Sequence, residues 1–164
     1  MIILGIDPGS TTTGYGVIRA ERGSLSVLDS GALSLGRGAV LAVRLMGAAD
    51  GIRSLLQQHS PDEVSLENVF QHANVRSALV LAHVRGAIML EIARAGLTVH
   101  EYTALQVKKA LVGHGHADKD QVRSMVIRLL ELSSPPAPLD VSDALAVAIC
   151  HAHTSASLRR WVGR

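Results

Sequence analysis

A mixed five-stranded α/β sheet with helices on both faces is the architecture this sequence predicts, and three observations predict it. Three extended segments open the chain as a meander. Two further short strands then alternate with helical segments. No internal repeat or linker divides the 164 residues, so a single domain with a sizeable core accommodates them.

The first strand is IILGID at 2–7, an apolar run ending in Asp7, with turn chemistry at Pro8-Gly9-Ser10. Residues 14–18 resume the extended pattern, and residues 24–35 alternate loosely with glycines at their margins. Leu41, Leu45, Ala48, Ile52 and Leu55 recur at helical spacing, predicting a helix that ends near His59. Pro61 precedes a fourth strand at 63–67, which closes on Glu67. A long helix is expected over 74–94, with Leu79, Ala82, Gly86, Met89 and Ala93 as its apolar face and Gly96 as its stop. Residues 97–102 form a short strand. Helices over 103–112 and 118–131 flank Gly113-His114-Gly115-His116. The proline-rich run 133–138 excludes a helix and leads into the last one, with Asp140 and Asp143 at its start.

Composition removes several function classes. Hydrophobic residues make up 48% and charged residues 18%, the balance of a globular chain. No stretch approaches the roughly 18 uncharged apolar residues of a membrane span. Asp7 interrupts the first apolar run too early for a signal peptide, and the lone Cys150 has no partner for an internal disulfide; both fit a reducing cytoplasm. All three lysines, Lys108, Lys109 and Lys119, fall within twelve residues, flanked by Arg76, Arg85, Arg94, Arg123 and Arg128. That cluster reads either as a solvated helix face or as a phosphate-binding surface.

Four carboxylates carry the chemical signal: Asp7, Glu67, Asp140 and Asp143. If the strands at 2–7 and 63–67 are parallel neighbours, Asp7 and Glu67 share the sheet edge where open α/β folds place ligands. Asp140 and Asp143, three apart on a helix, share one face. Singly, each has a plain reading as turn residue, strand end or helix cap. Together they form an all-oxygen set suited to Mg²⁺ or Mn²⁺. Two such ions about 4 Å apart support phosphoryl transfer, with Asp7 the natural bridge. Phe70 is the chain's only phenylalanine and stands three residues after Glu67, which fits stacking on a base. The H-x-H pairs at 114–116 and 151–153 lack zinc-ligand spacing, and no Walker-type phosphate loop is present.

The motifs GIDPGSTTTGYGVI at 5–18, LENVF at 66–70, QVKKALVGHGHADKDQV at 106–122 and LDVSDALAVAICH at 139–151 resemble the RuvC family of bacterial Holliday-junction resolvases, in order and from about residue 2 to 153. The resemblance implies an RNase H-like (retroviral-integrase-like) nuclease domain over 1–153; residues 158–164 match no motif of the family, and 154–164 are expected to form a flexible basic tail. It implies a homodimer that nicks two opposed strands of a four-way DNA junction with Mg²⁺, two ions per site, leaving 5′-phosphate and 3′-hydroxyl ends. It also implies service in recombination and repair beside the branch-migration complex RuvA–RuvB, in the bacterial cytoplasm at the nucleoid. By resemblance, Asp7, Glu67, Asp140 and Asp143 are the catalytic acids, Phe70 stacks on a base, and Lys108 and Lys119 contact DNA; Arg76, from the basic cluster, is a further expected DNA contact. Some relatives carry histidine at the place of Asp140.

Three alternatives stay open at this point. Asp7, Gly9 and Thr11 also satisfy the D-x-G-x-T phosphate loop of sugar-kinase and actin-like ATPases, although those need two such domains. A junction-binding module without catalysis would keep the fold but not need the acids. A nuclease for RNA–DNA hybrids or transposon ends would use the same acids on another substrate.

Overall fold

The computed structural model describes residues 1–68 and 74–162, with side chains as far as Ser155. The strands are β1 (Ile2–Asp7), β2 (Thr12–Glu21), β3 (Ser24–Ser34), β4 (Glu63–Asn68) and β5 (Val99–Thr103). The helices are α1 (Leu41–His59), α2 (Val75–Arg94), α3 (Ala104–Val112), α4 (Lys119–Leu129) and α5 (Leu139–Val162). The sheet runs β3-β2-β1-β4-β5. Its first three strands pair antiparallel, whereas β4 lies parallel to β1 and β5 parallel to β4. The expected element order and the mixed sheet are therefore both present, with β2 starting two residues earlier than its pattern indicated. Helix α5 continues past residue 153, where the sequence placed the domain boundary.

Alternation along β1 sorts its residues between two cores. Leu4 and Ile6 join Ile52, Leu56, Val84 and Ile88 under α1 and α2. Ile3 joins Tyr102, Val107, Val126, Leu145 and Ile149 under α3, α4 and α5. Helices thus cover both faces, as expected, and α5 lies against β1 and β2.

One expectation is corrected. The core stripe of α2 is Leu81, Val84, Ile88, Glu91 and Ile92, not the face through Leu79, Gly86 and Ala93. Leu79 is 56% exposed, and a Cβ at Gly86 would meet no atom within 4 Å. Apolar residues occur all round this helix, so periodicity finds two stripes and does not say which one the sheet covers.

Candidate active site

Parallel register places Asp7 and Glu67 together. Gly5 pairs with Ser65 and Ile6 with Leu66, so β1 and β4 run side by side into Asp7 and Glu67. Side chains alternate, so Asp7 and Glu67 lie on the face that α5 covers, two residues on from Gly5 and Ser65.

What brings α5 close is a patch without side chains. Gly5 and Gly16 are register partners, and Asp7 pairs with Gly14. A Cβ at Gly14 would lie 2.0 Å from the Asp140 carbonyl oxygen; at Gly5, 2.3 Å from that of Ala144; at Gly16, within 2.5 Å of the Leu145 side chain. The glycines and the alanines of α5 let the helix backbone approach the sheet almost directly, setting the first turn of α5 over the end of β1. The sequence marked these glycines only as part of a motif. Their spacing of 5, 14 and 16 gains meaning once β1 and β2 are paired.

The four acids line one cleft of about 430 Å³, together with Lys108 and Lys119. The Asp7 carboxyl is pushed up from 3.8 to about 9, chiefly by burial, then by the charges of Glu67 and Asp143, by its hydrogen bond to Glu67, and by Asp140. Burial likewise raises Glu67, aided by the Asp143 charge; the Asp7 hydrogen bond and Lys119 pull it back. Both lysines are carried by capped helices. Thr103 and Gln106 form a capping box at the start of α3, which bears Lys108. Asp118 and Gln121 do the same for α4, whose first residue is Lys119. The Lys119 Nζ lies 3.5 Å from Asp143 Oδ2 and is otherwise exposed. Arg76 is exposed in the first turn of α2 and does not line the cleft. Phe70 lies outside the described residues.

An all-oxygen donor set in which neighbouring acids hold one carboxyl protonated fits a hard divalent cation, since only added positive charge lets all four ionise together. Among the described residues that line the cleft, none supplies the thiolate or imidazole of a soft-metal site.

One positioning device escaped the sequence reading, which saw only a basic patch. Arg85 Nη1 donates to the Glu67 carbonyl oxygen at 2.7 Å, and its Nη2 pairs with Glu101 Oε1 at 2.8 Å. Asn68 Nδ2 donates to the other Glu101 oxygen at 3.0 Å. The fork of Arg85 thus ties the end of β4 to α2 and β5. Lysine cannot span both acceptors in this way. Arg85→Lys is expected to lower the rate of DNA cleavage by about 10–100-fold, the scale of an ångström-sized misplacement, while leaving DNA binding within a few-fold. Single-turnover kinetics beside a binding titration check this. An unchanged cleavage rate would remove Arg85 from the positioning of Glu67.

Elsewhere the histidines part company. His153 Nδ1 meets the Ala110 carbonyl at 3.2 Å, whereas His151 engages Tyr102 and Glu63, as i,i+2 positions on a helix require. Cys150 is buried and its thiol is pushed up to about 11 by burial, which makes it an inert core residue.

Residues 3–151 match the family described as Crossover junction endodeoxyribonuclease RuvC. A RuvC from Bordetella avium is 51% identical over 94% of this chain and 84% of its own length. One from Legionella pneumophila (strain Corby) is 44% identical over 99% and 92%. The Thermus thermophilus RuvC structure superposes with a TM-score of 0.89 at 31% identity, covering 96% of both chains; its complex with a Holliday junction substrate gives 0.90 over 94% of both. The yeast mitochondrial Holliday junction resolvase, at 13% identity, shares the fold with a TM-score of 0.71 over 97% of this chain and 80% of its own. Agreement in sequence over nearly the whole length and in sheet architecture therefore leads to one conclusion: this chain belongs to the RuvC family of crossover junction endodeoxyribonucleases, on an RNase H-like fold.

Proposed function

We propose that this protein resolves Holliday junctions by nicking two opposed strands symmetrically, with Asp7, Glu67, Asp140 and Asp143 as its catalytic and metal-holding acids. The observation that carries the reading is the half-buried Asp7–Glu67 pair beneath the start of α5, in a cleft edged by two lysines. Members of the family depend on metal; here the ions would be Mg²⁺, with Mn²⁺ as substitute, two per site. Bound there, they supply charge for a phosphate and lower the pKa of water that attacks it. The chain's own residues do the rest. Asp7, which feels the charges of Glu67, Asp143 and Asp140, would be shared between the two ions, with the other three acids completing their ligand sets. Lys119, beside Asp143, and Lys108, which lines the same cleft, neutralise the entering backbone phosphate. Arg76 extends that contact along the duplex arm, and Phe70 stacks on a base opened at the crossover. Hydrolysis at the 3′ oxygen leaves 5′-phosphate and 3′-hydroxyl ends.

Two cuts need two centres, so the working unit is a homodimer. The second apolar stripe of α2 serves as its interface: Val75, Leu79 and Leu90 are exposed, and Gly86 lies between them on the same side. Leu79→Asp is expected to turn the dimer into a monomer in sedimentation at micromolar concentration and to uncouple the two nicks. A dimer of unchanged strength would place the interface elsewhere. In the cell, RuvA–RuvB would deliver the junction at the bacterial nucleoid in the cytoplasm. No described helix is long and apolar enough to cross a membrane.

Mg²⁺ must displace the Asp7 proton, since that carboxyl titrates near 9 without metal. Apparent Mg²⁺ affinity is therefore expected to rise about tenfold per pH unit below 9, with one proton released per chain. Calorimetry in two buffers of different ionisation enthalpy counts that proton; an affinity flat between pH 6 and 8 would mean Asp7 is already ionised.

The deciding experiment compares a mobile four-way junction with a linear duplex of the same sequence, in Mg²⁺, Mn²⁺ or EDTA. Paired nicks on the junction alone, lost with EDTA, are expected. Junction binding without cutting in either metal would leave a DNA-binding module, and equal cutting of the duplex would remove the junction specificity.

A further inference from the structure

Four residues back along β4 from Glu67, about 13 Å at strand rise, a second constellation occupies the same face of the sheet. Glu63 opens β4, His100 lies in β5 and His151 in α5, and one ligand atom from each falls within 4.8 Å of the other two. Among the described residues this is the metal-capable group that meets so closely. We propose that Glu63, His100 and His151 form a second metal site, which takes one zinc-class ion and is separate from the acids of the cleft.

The donor chemistry favours zinc over magnesium. Two imidazoles and one carboxylate make the N₂O set that Zn²⁺ accepts with a water in its fourth place, whereas Mg²⁺ favours oxygen alone. The support around the set is also that of a metal site. His151 is 2% exposed, and its Nδ1 lies 2.7 Å from the Tyr102 hydroxyl. That hydroxyl can accept the Nδ1 proton, fixing the tautomer that presents Nε2 as a ligand. Nε2 now meets Glu63 Oε2 at 2.5 Å, so the two donors already face each other. The His100 ring stacks on His151 at 4.4 Å between centroids, tilted by 31°. Two imidazoles so close can both be neutral on a cation but would repel if both were charged.

Closure is short. A tetrahedral ion with bonds of about 2.0–2.1 Å holds its donors about 3.3 Å apart, so shifts of about 1–1.5 Å draw the three onto it. Glu63, whose side chain is 30% exposed, provides both the movement and the route from solvent. Ser65, the register partner of His100, has a fully buried hydroxyl with no hydrogen-bond partner, so the polar row of this face is incompletely satisfied by the protein. An ion here would clamp β4 and β5 to α5, the elements that aim Glu67 and both helix aspartates.

The test is competition of the metal-stripped full chain with a chromogenic zinc indicator, in millimolar Mg²⁺, for native protein and for Asp7→Asn, His100→Ala and Glu63→Gln. One Zn²⁺ per chain is expected, unchanged by Asp7→Asn and weakened at least about tenfold by His100→Ala or Glu63→Gln. Zn²⁺ should raise the melting temperature of native protein but not of His100→Ala, and Co²⁺ should give the visible absorption of a four-coordinate ion. Circular dichroism confirms that each variant is folded. Zinc lost with Asp7→Asn, zinc indifferent to His100→Ala, or no stoichiometric uptake would overturn the site and leave a hydrogen-bonded Tyr102–His151–Glu63 chain.

Discussion

Asp7→Asn is expected to cut no junction strand, yet to melt at a higher temperature than the native chain in the absence of divalent ions. The loss of activity should exceed about 10³-fold if, as proposed, Asp7 holds the metal of a phosphoryl transfer, since a neutral amide cannot replace that carboxylate. The gain in stability follows from the sign of the titration. Asp7 titrates near 3.8 in an unfolded chain and near 9 in the metal-free fold. A carboxyl raised in this way favours folding fully below its unfolded value, and the contribution disappears as pH rises through the folded one. Metal-free native protein should therefore lose stability steadily between pH 4 and 9. The asparagine variant keeps a donor for Glu67 without the charge, which removes this part of the decline. At pH 8 the asparagine variant should melt at least several degrees above the native chain. Calorimetric melts from pH 5 to 9 with EDTA decide it. Parallel curves for the two proteins would show that Asp7 is ionised in the fold and that crowding among the acids does not strain it.

Gly14→Ala is expected to disable the site without touching any acid. The added methyl would stand 2.0 Å from the Asp140 carbonyl oxygen and 2.4 Å from its carbonyl carbon. Both atoms are backbone, so no rotamer change relieves the overlap. The first turn of α5 must move off the sheet, taking Asp140 and Asp143 with it. A shift of about 1 Å there costs on the order of 10²-fold in rate, and overpacking costs about 1–3 kcal/mol of stability. Gly47→Ala is the matched control: it lies inside α1, its new Cβ would meet nothing nearer than 3.9 Å, and it should stabilise by about 0.5–1 kcal/mol. Cleavage rates and melts of the two variants separate close approach from any general effect of replacing a glycine. Near-native cleavage by Gly14→Ala would mean that α5 tolerates displacement and that the glycine patch does not position the acids.

Much of this could be read without coordinates. Local patterns of apolar residues, prolines and glycines carried the order of the elements. A run such as IILGID has few alternatives to a buried strand, and Ser133–Pro138 has few to a loop. The four acids were legible for a related reason: each breaks an apolar run at its end, where packing alone has no use for a charge. Burial on α2 was not legible, because that helix offers two apolar stripes and only the sheet selects Leu81, Val84, Ile88 and Ile92 over Leu79 and Leu90. Arg85 was visible as charge and not as a fork, since its acceptors come from β4 and β5.

By itself, then, the sequence determined the mixed five-stranded α/β architecture and the family, and offered Asp7, Glu67, Asp140 and Asp143 as an oxygen-only donor set, because these depend on residue type and on spacings within one element or between ordered motifs. Tertiary structure alone decided how near the helix comes to the sheet, which side of α2 stays exposed, and that Glu63, His100 and His151 meet at all. Those outcomes depend on strand register and on the direction of side chains from elements as far as 88 residues apart in sequence. A one-residue slip of register would send every strand side chain to the opposite face, and no local pattern records that choice.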